Sequence, residues 1–354
     1  MSSILIEDLE VISEYEKLND MSGNTVLVTG ATGLIGSLFI KAVMLYNEKN
    51  HEKIHVVGLV RDIIKAKNVF GELFECNEIS WIQSNLEGFV DTEFDVDYII
   101  HTASVTSSKV FVTNPVETME TLYRGTKNIL ELAKKKNSKS VVYLSSMEMY
   151  GITDNHLERV KENDLGYIDI LNVRSSYSEG KRIAECLCAS YWDEYGVPVK
   201  IARLAQTFGA GVLSQDNRVY AQFARSVLDK KDIVLHTEGK SYGNYCYTTD
   251  VIRALILLLS DGKNGEAYNI CNEDTTTTIA NMAKMVLKKF GDGELEVKFD
   301  IPEDKKTFGY APDVKMCLSS EKLRNLGWKP QYALLEMYER MISDMMWSGK
   351  KEDE

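Results

Sequence analysis

What the chain lacks already narrows what it can be. It has only five prolines among 354 residues and no low-complexity tract, which leaves little room for linkers or disorder. No apolar run approaches the length that spans a membrane. The first ten residues are acidic rather than basic-then-apolar, so no secretory leader is expected and a cytoplasmic location is. The six cysteines, Cys76, Cys186, Cys188, Cys246, Cys271 and Cys317, follow no framework or ligand spacing, and the five histidines are scattered. Neither disulfides nor a metal is expected. Long basic runs are missing as well, and the net charge is −12. That argues against nucleic acid or an anionic membrane as the main partner.

What is present is a soluble, domain-forming composition, 44% apolar and 27% charged. The most informative stretch is Thr25 to Gly36, Thr-Val-Leu-Val-Thr-Gly-Ala-Thr-Gly-Leu-Ile-Gly. Four strand-forming residues run into Gly30, Gly33 and Gly36, and an apolar helical pattern follows at once. Gly30 permits the tight turn, Gly33 lets a pyrophosphate approach the backbone, and Gly36 lets helix pack on strand. Thr32, Leu34 and Ile35 complete the turn, whose free N–H groups and positive helix end suit phosphate.

Strands alternate with helices from here to residue 205: strands near 54–60, 79–83, 97–101, 140–144 and 199–204, with a long helix over 116–136 and another starting near Tyr177. This rhythm predicts an α/β fold, a Rossmann-type doubly wound parallel sheet. An amphipathic helix precedes it, laid over the sheet or a partner. Beyond 205 the elements shorten. Residues 1–22 read as a helical extension, 23–205 as the dinucleotide-binding domain, and 206–354 mainly as a smaller C-terminal substrate-binding lobe whose chain could cross back to the sheet.

The second strand ends at Arg61-Asp62, where such a fold reads the adenosine ribose. An acid there accepts from a 2′-hydroxyl and an arginine accommodates a 2′-phosphate. Arg61 comes first, which favours NADP within NAD(P); Asp62 could instead cap the next helix. Asn85 and Leu86 after the third strand, and Thr102, Ala103 and Ser104 after the fourth, complete the expected cofactor wall.

Tyr177 and Lys181 stand four apart at the start of a helix, hence on one face. A tyrosine titrates near about 10 in water, and a nearby lysine ammonium, with a nicotinamide cation beside it, favours its phenolate. It can then take a hydroxyl proton as hydride leaves the same carbon. Ser146, ending the fifth strand, is placed to hydrogen-bond the developing carbonyl. Glu148, two residues on, could move a proton at a carbon made acidic by a new ketone. A loop carboxylate bound to backbone N–H groups is the plainer alternative for it.

These stretches resemble the extended short-chain dehydrogenase/reductase family, in its NAD-dependent epimerase/dehydratase branch. The resemblance covers about residues 23 to 345. It rests on Thr29 to Gly36, His101-Thr102-Ala103-Ser104, Gly125-Thr126-Lys127-Asn128, Ser145 to Gly151, Tyr177-Ser178-Glu179-Gly180-Lys181-Arg182 and Leu326-Gly327-Trp328-Lys329-Pro330. The Tyr-x-Glu-Gly-Lys-Arg form is most similar to UDP-glucuronate decarboxylases, and the Ser-x-Glu pattern is also similar to sugar 4,6-dehydratases. The resemblance implies a nucleotide-sugar substrate, oxidation at C4 by Tyr177, Lys181 and Ser146, and Glu148 acting at the neighbouring carbon. It also implies a homodimer through the helices near 116–136 and 177–195.

The pattern is broken in places. Gly243 and Tyr310 stand where the family often carries arginines for the substrate pyrophosphate, and each such arginine could form a bidentate contact. A glucuronate carboxylate needs a cation too, so their loss counts against decarboxylation. Leu122 and Gln206 replace common asparagines, and Met147 replaces the dehydratase aspartate. Arg174 and Arg218 remain candidates for an anionic substrate, with Ser104, Met147 and Gln206 as further substrate neighbours. An NADP-dependent carbonyl reductase with net redox change is the alternative activity, and a non-catalytic cofactor-binding protein the third reading.

Overall fold

The computed structural model describes residues 1–89, 91–213, 216–301 and 314–352. The chain opens with α1 (Ser3–Ser13), a 3-10 turn and β1 (Thr25–Thr29), then α2 (Leu34–Lys49), β2 (His55–Val60), α3 (Ile63–Phe70), β3 (Ile79–Gln83) and β4 (Tyr98–His101). Next come α4 (Ser108–Thr113), α5 (Pro115–Lys136), β5 (Ser140–Ser146), α6 (Ser175–Tyr195) and β6 (Val199–Leu204). The remainder holds β7 (Gln206–Phe208), α7 (Val219–Leu228), β8 (Ile233–Leu235), β9 (Tyr242–Tyr247), α8 (Thr248–Asp261) and β10 (Ala267–Ile270). It ends in β11 (Asn272–Thr278), α9 (Ile279–Phe290), β12 (Val297–Phe299), β13 (Lys315–Met316), α10 (Glu321–Arg324) and α11 (Leu334–Glu352).

Seven parallel strands form the main sheet in the order β10-β6-β5-β4-β1-β2-β3. Alternate residues of these strands face opposite ways, as the pleat requires. Val26, Val28, Val142 and Ala202 pack with α2, α3 and α8, whereas Leu27, Val57, Val141 and Ile201 pack with α5 and α6. Both faces are thereby covered, which is why the strands read as continuous apolar runs. The order reverses between β1 and β4, so a crevice opens at their C-terminal ends, the usual ligand position in such sheets.

The chain does cross back after 205: β10 pairs with β6 as the seventh strand, and α8 lies against β5 and β6. The smaller lobe is made of a sheet of β7, β9, β11 and β13, a β8–β12 pair, and helices α7, α9 and α11 around Phe208, Tyr220, Met282 and Tyr338. The N-terminal helix α1 packs on α2, α8 and α11. Its Asp8, 2% exposed, accepts from Arg340 on α11 at 2.8 Å and from the Tyr247 hydroxyl at 2.5 Å. The Leu326–Pro330 segment is anchored by Trp328, whose Nε1 donates to the Asp250 carbonyl at 3.0 Å.

All six cysteines are free thiols. Among the described residues no helix is long and apolar enough to cross a membrane, and no cluster of His, Cys, Asp or Glu could hold a metal.

Candidate active site

The crevice is a cleft of about 460 Å³ running from Arg61, Asp62 and Lys65 past the glycine turn to Ser146, Glu148 and Tyr177, with Gln206 and Arg218 on the far wall. Gly30 turns the chain with φ +65°, and a Cβ there would lie 2.6 Å from Thr102 Oγ1 and 2.9 Å from the Ala103 backbone. A Cβ on Gly36 would sit 2.6 Å from the Gly30 carbonyl. Only hydrogen fits at either position, so α2 closes on β1 and its first turn faces the cleft. Thr102 and Ala103 are tied to this turn, Thr102 Oγ1 donating to the Thr29 carbonyl at 2.7 Å and Ala103 N to Thr29 Oγ1 at 3.1 Å. Gly30, Thr32, Gly33, Leu34 and Ile35 line the cleft, while Gly36 lies behind it as a packing residue. This backbone cradle, which a side chain would fill, fits the pyrophosphate of a dinucleotide.

At the adenosine end Arg61 lines the cleft, and Asp62 is engaged as the cap of α3, its Oδ1 accepting from Ile64 N at 2.9 Å and Lys65 N at 3.0 Å. Leu86 lines the cleft, and the side chain of the adjacent Asn85 accepts from Gly88 N at 2.9 Å. Lys65, in the first turn of α3, also lines the cleft and is not marked by any pattern in the sequence.

Tyr177 and Lys181 sit on one face of α6, as their spacing requires. Tyr177 stacks on Phe111 with centroids 4.2 Å apart and planes 9° from parallel. Leu122 fills the space beside it, and a Cβ on Gly180 would come within 2.5 Å of Leu122. The leucine in place of asparagine is thus part of the α5–α6 contact. Lys181 Nζ donates to the Leu144 carbonyl at 2.6 Å. Burial draws the Lys181 pKa down to about 7.

Lys181 Nζ lies 5.8 Å from the Tyr177 ring centroid. Burial foremost, then the Glu148 charge, push Tyr177 well above the ordinary phenol range. The opposing pulls come from hydrogen bonds with Ser146 and Ser104 and from the Arg218 cation. Ser146 also caps the following 3-10 turn, its Oγ accepting from Glu148 N at 3.2 Å.

Among the described residues no backbone N–H donates to the Glu148 carboxylate. Oε2 accepts from Arg174 Nη1 at 2.9 Å, both side chains being partly buried. Arg174 immediately precedes α6, with its guanidinium carbon 5.8 Å from the Phe111 ring centroid, and it is not part of the cleft wall. Arg218 is, and Asp216 holds it at 3.0 Å through both oxygens while it lies over Tyr220. Met147, Ser104 and Gln206 also line the cleft. Gly243 lies in β9, where a Cβ would meet the Met316 carbonyl at 3.1 Å, so the strand pairing leaves little space for an arginine. Tyr310 lies outside the described residues.

Fold and cleft together define an α/β protein built around a dinucleotide. Residues 26–271 match the model of the NAD dependent epimerase/dehydratase family. A UDP-glucuronic acid decarboxylase of Arabidopsis thaliana is 31% identical over 331 residues, covering 91% of this chain and 89% of the relative. In fold the chain is similar to the Mth375 epimerase of Methanothermobacter thermautotrophicus, with a TM-score of 0.79, 19% identity, and 97% of each chain covered. It is also similar to the Bacillus cereus UDP-glucuronic acid 4-epimerase solved with UDP-glucuronic acid and NAD, at TM-score 0.75 and 21% identity, covering 92% of this chain and 99% of that one. The chain belongs to the NAD-dependent epimerase/dehydratase family, of the extended short-chain dehydrogenase/reductase type. It is an NAD(P)-dependent enzyme.

Proposed function

We propose that the enzyme acts on a nucleotide-activated sugar, with residues 23–205 chiefly holding the cofactor and the lobe after 205 closing over the substrate. The observation that carries this reading is the meeting of Tyr177, Ser146 and Glu148 in one cleft with the glycine cradle. Gly30 to Ile35 hold the pyrophosphate, and Thr102, Ala103, Leu86 and Lys181 the nicotinamide half. The dinucleotide, when bound, supplies the hydride acceptor. Ser146 hydrogen-bonds the C4 oxygen, and Tyr177 removes its proton. The resulting ketone acidifies the neighbouring carbon, where Glu148 removes or returns a proton. Arg218, with Gln206, Met147 and Ser104, faces the substrate, and Arg218 takes the place of the missing pyrophosphate arginines. Purified protein incubated with NAD or NADP and UDP-glucuronate, UDP-glucose or dTDP-glucose tests this. Mass spectrometry separates loss of CO2 from loss of water, and NMR reveals epimerisation. Stoichiometric change in dinucleotide absorbance would favour the carbonyl reductase, and no turnover of any sugar would refute the proposal.

NADP is the preferred form in this reading. Asp62 already serves as a helix cap, while Arg61 and Lys65 present two cations to the adenosine end. Titration calorimetry with both dinucleotides checks it, and equal affinities would refute it.

The enzyme is assigned as a homodimer. Val116, Met119 and Tyr123 on α5 and Ile183 on α6 are 66%, 44%, 38% and 44% exposed, an apolar face of the kind that marks association surfaces. Light scattering on Met119→Lys should show dissociation, and an unmodified mass of one chain would overturn the assignment.

A further inference from the structure

Lys181 poses a problem that its proposed role does not solve. Its side chain is 2% exposed, and among the described residues no carboxylate forms an ion pair with it. An ammonium removed from water needs compensation or it gives up its proton. One N–H is satisfied by the Leu144 carbonyl at 2.6 Å. Two aromatic rings lie nearby: Nζ is 4.8 Å from the centroid of Tyr143 and 5.8 Å from that of Tyr177.

The charged and titratable groups around it do not displace this conclusion. On α6 itself, Glu185 favours the charge, but its carboxylate is closed by Arg203 of β6 at 2.7 Å, and Cys188 is a buried thiol held well above its ordinary pKa. On β4, His101 is buried and neutral, its pKa drawn down to about 3, with Nδ1 2.7 Å from Thr29 Oγ1 and Nε2 3.3 Å from Thr126 Oγ1 of α5. Farther along α5, Glu131 is taken by the Tyr191 hydroxyl at 2.5 Å. Glu148, on the 3-10 turn, is taken by Arg174, and α4 presents the Phe111 ring to Tyr177. The His101 and Tyr143 rings are tilted by 43° with centroids 5.5 Å apart, a contact that helps hold Tyr143 beside the lysine.

We infer that Tyr143 is a positioning residue of this enzyme, its ring holding Lys181 as a cation at the floor of the cleft by a desolvated cation–π contact. Such contacts strengthen when water is excluded, and they depend on the ring quadrupole rather than on the hydroxyl. The inference rests on assigning Lys181 to the cofactor half of the cleft. Its test does not require turnover.

Burial brings Lys181 from 10.5 down to about 7 in the folded chain. Below about pH 7 both folded and unfolded chains hold this proton. Between there and 10.5 only the unfolded chain does, so stability rises with pH across that window. The lower break marks the folded-state pKa. Full-length protein is unfolded in urea from pH 5 to 10, with and without Lys181→Met, so that the difference isolates Lys181. The comparison is made for Tyr143, Tyr143→Phe, Tyr143→4-fluorophenylalanine and Tyr143→3,4,5-trifluorophenylalanine. Tyr143→Phe should leave the break in place. Trifluorination should lower it by about one pH unit, a tenfold loss of proton affinity, with the monofluoro ring between. A break that ignores fluorination, or one that Tyr143→Phe moves as far as trifluorination, overturns the inference. The monofluoro variant alters shape least, so it supplies the reading if the trifluoro chain does not fold. An enzyme that turned over no nucleotide sugar would still show the break, so this inference and the proposed reaction fail separately.

Discussion

Arg203→Met should be among the costliest single changes in the Rossmann part, because of what it leaves behind. Arg203, on β6, donates from Nε to both Glu185 oxygens at 3.1 Å and from Nη2 to Oε2 at 2.7 Å. Its Nη1 reaches the Tyr150 hydroxyl at 2.9 Å and the Glu162 carbonyl at 2.6 Å. The two side chains are 8% and 7% exposed, so neither charge has water to fall back on. Burial works against the Arg203 charge, and Glu185 with Tyr150 more than offsets it, raising the guanidinium pKa. Methionine fills much of the arginine volume, so the loss is electrostatic: an uncompensated buried carboxylate, about 3–5 kcal/mol. Replacing both partners, Arg203→Met with Glu185→Leu, should cost under about 1.5 kcal/mol, because no isolated charge remains. Equilibrium urea unfolding of the two singles and the double closes a mutant cycle, with a coupling of about 2 kcal/mol or more expected for residues in direct contact. A single costing less than about 1 kcal/mol, or a double as costly as the sum, would refute the reasoning.

Tyr177→Phe should lower turnover by about 10²–10⁴-fold and leave dinucleotide affinity within a few-fold, measured by steady-state kinetics and calorimetry; surviving activity would move the base elsewhere. Asp250, buried at the start of α8, has its carboxyl raised from 3.8 to about 7, first by desolvation. The protonated form therefore contributes stability that is fully present below pH 3.8 and is lost as pH rises through about 7. Asp250→Asn should accordingly gain on the wild type between those limits, by at most about 4 kcal/mol, and run parallel to it above them; a constant difference across pH would count against it. Asp8→Ala removes the buried one of Arg340's two carboxylate partners, leaving Glu7 at 3.2 Å, and should cost about 1–3 kcal/mol in urea unfolding. The same change should speed proteolysis within α1, and an unchanged cleavage rate would show that the clamp does not hold the extension.

Those features that depend on near neighbours were legible in the sequence. The glycine turn is a local device: Gly30, Gly33 and Gly36 are needed by contacts within seven residues, apart from the approach of Thr102 and Ala103. Helix periodicity put Tyr177 and Lys181 on one face, and strand-to-helix alternation predicted the parallel sheet. The crossing back of β10 was foreseen only as a possibility, because a four-residue apolar strand carries no mark of which sheet it joins. The short α4 went unseen, being six residues held by tertiary contact.

Side-chain pairing across long sequence distances was not legible. Arg174 and Glu148 are 26 residues apart, and nothing between them announces an ion pair. Read alone, Arg174 was a candidate for a substrate anion; folded, it lies off the cleft wall and holds the carboxylate that faces it. Asn85 reads as part of the cofactor wall; its side-chain oxygen also closes a turn by accepting from Gly88 N, a partner the sequence did not announce.

By itself, then, the sequence determined the sheet, the cradle and the order of the reacting groups, because each follows from backbone conformation and spacing over a few residues. Only the tertiary structure decided the surroundings of the charged and titratable groups at the site. Burial raises Tyr177 and lowers Lys181, the Tyr143 ring lies beside that lysine, and Glu148 and Arg218 each have a set partner. Desolvation depends on everything packed around a group, and no stretch of chain carries that information alone.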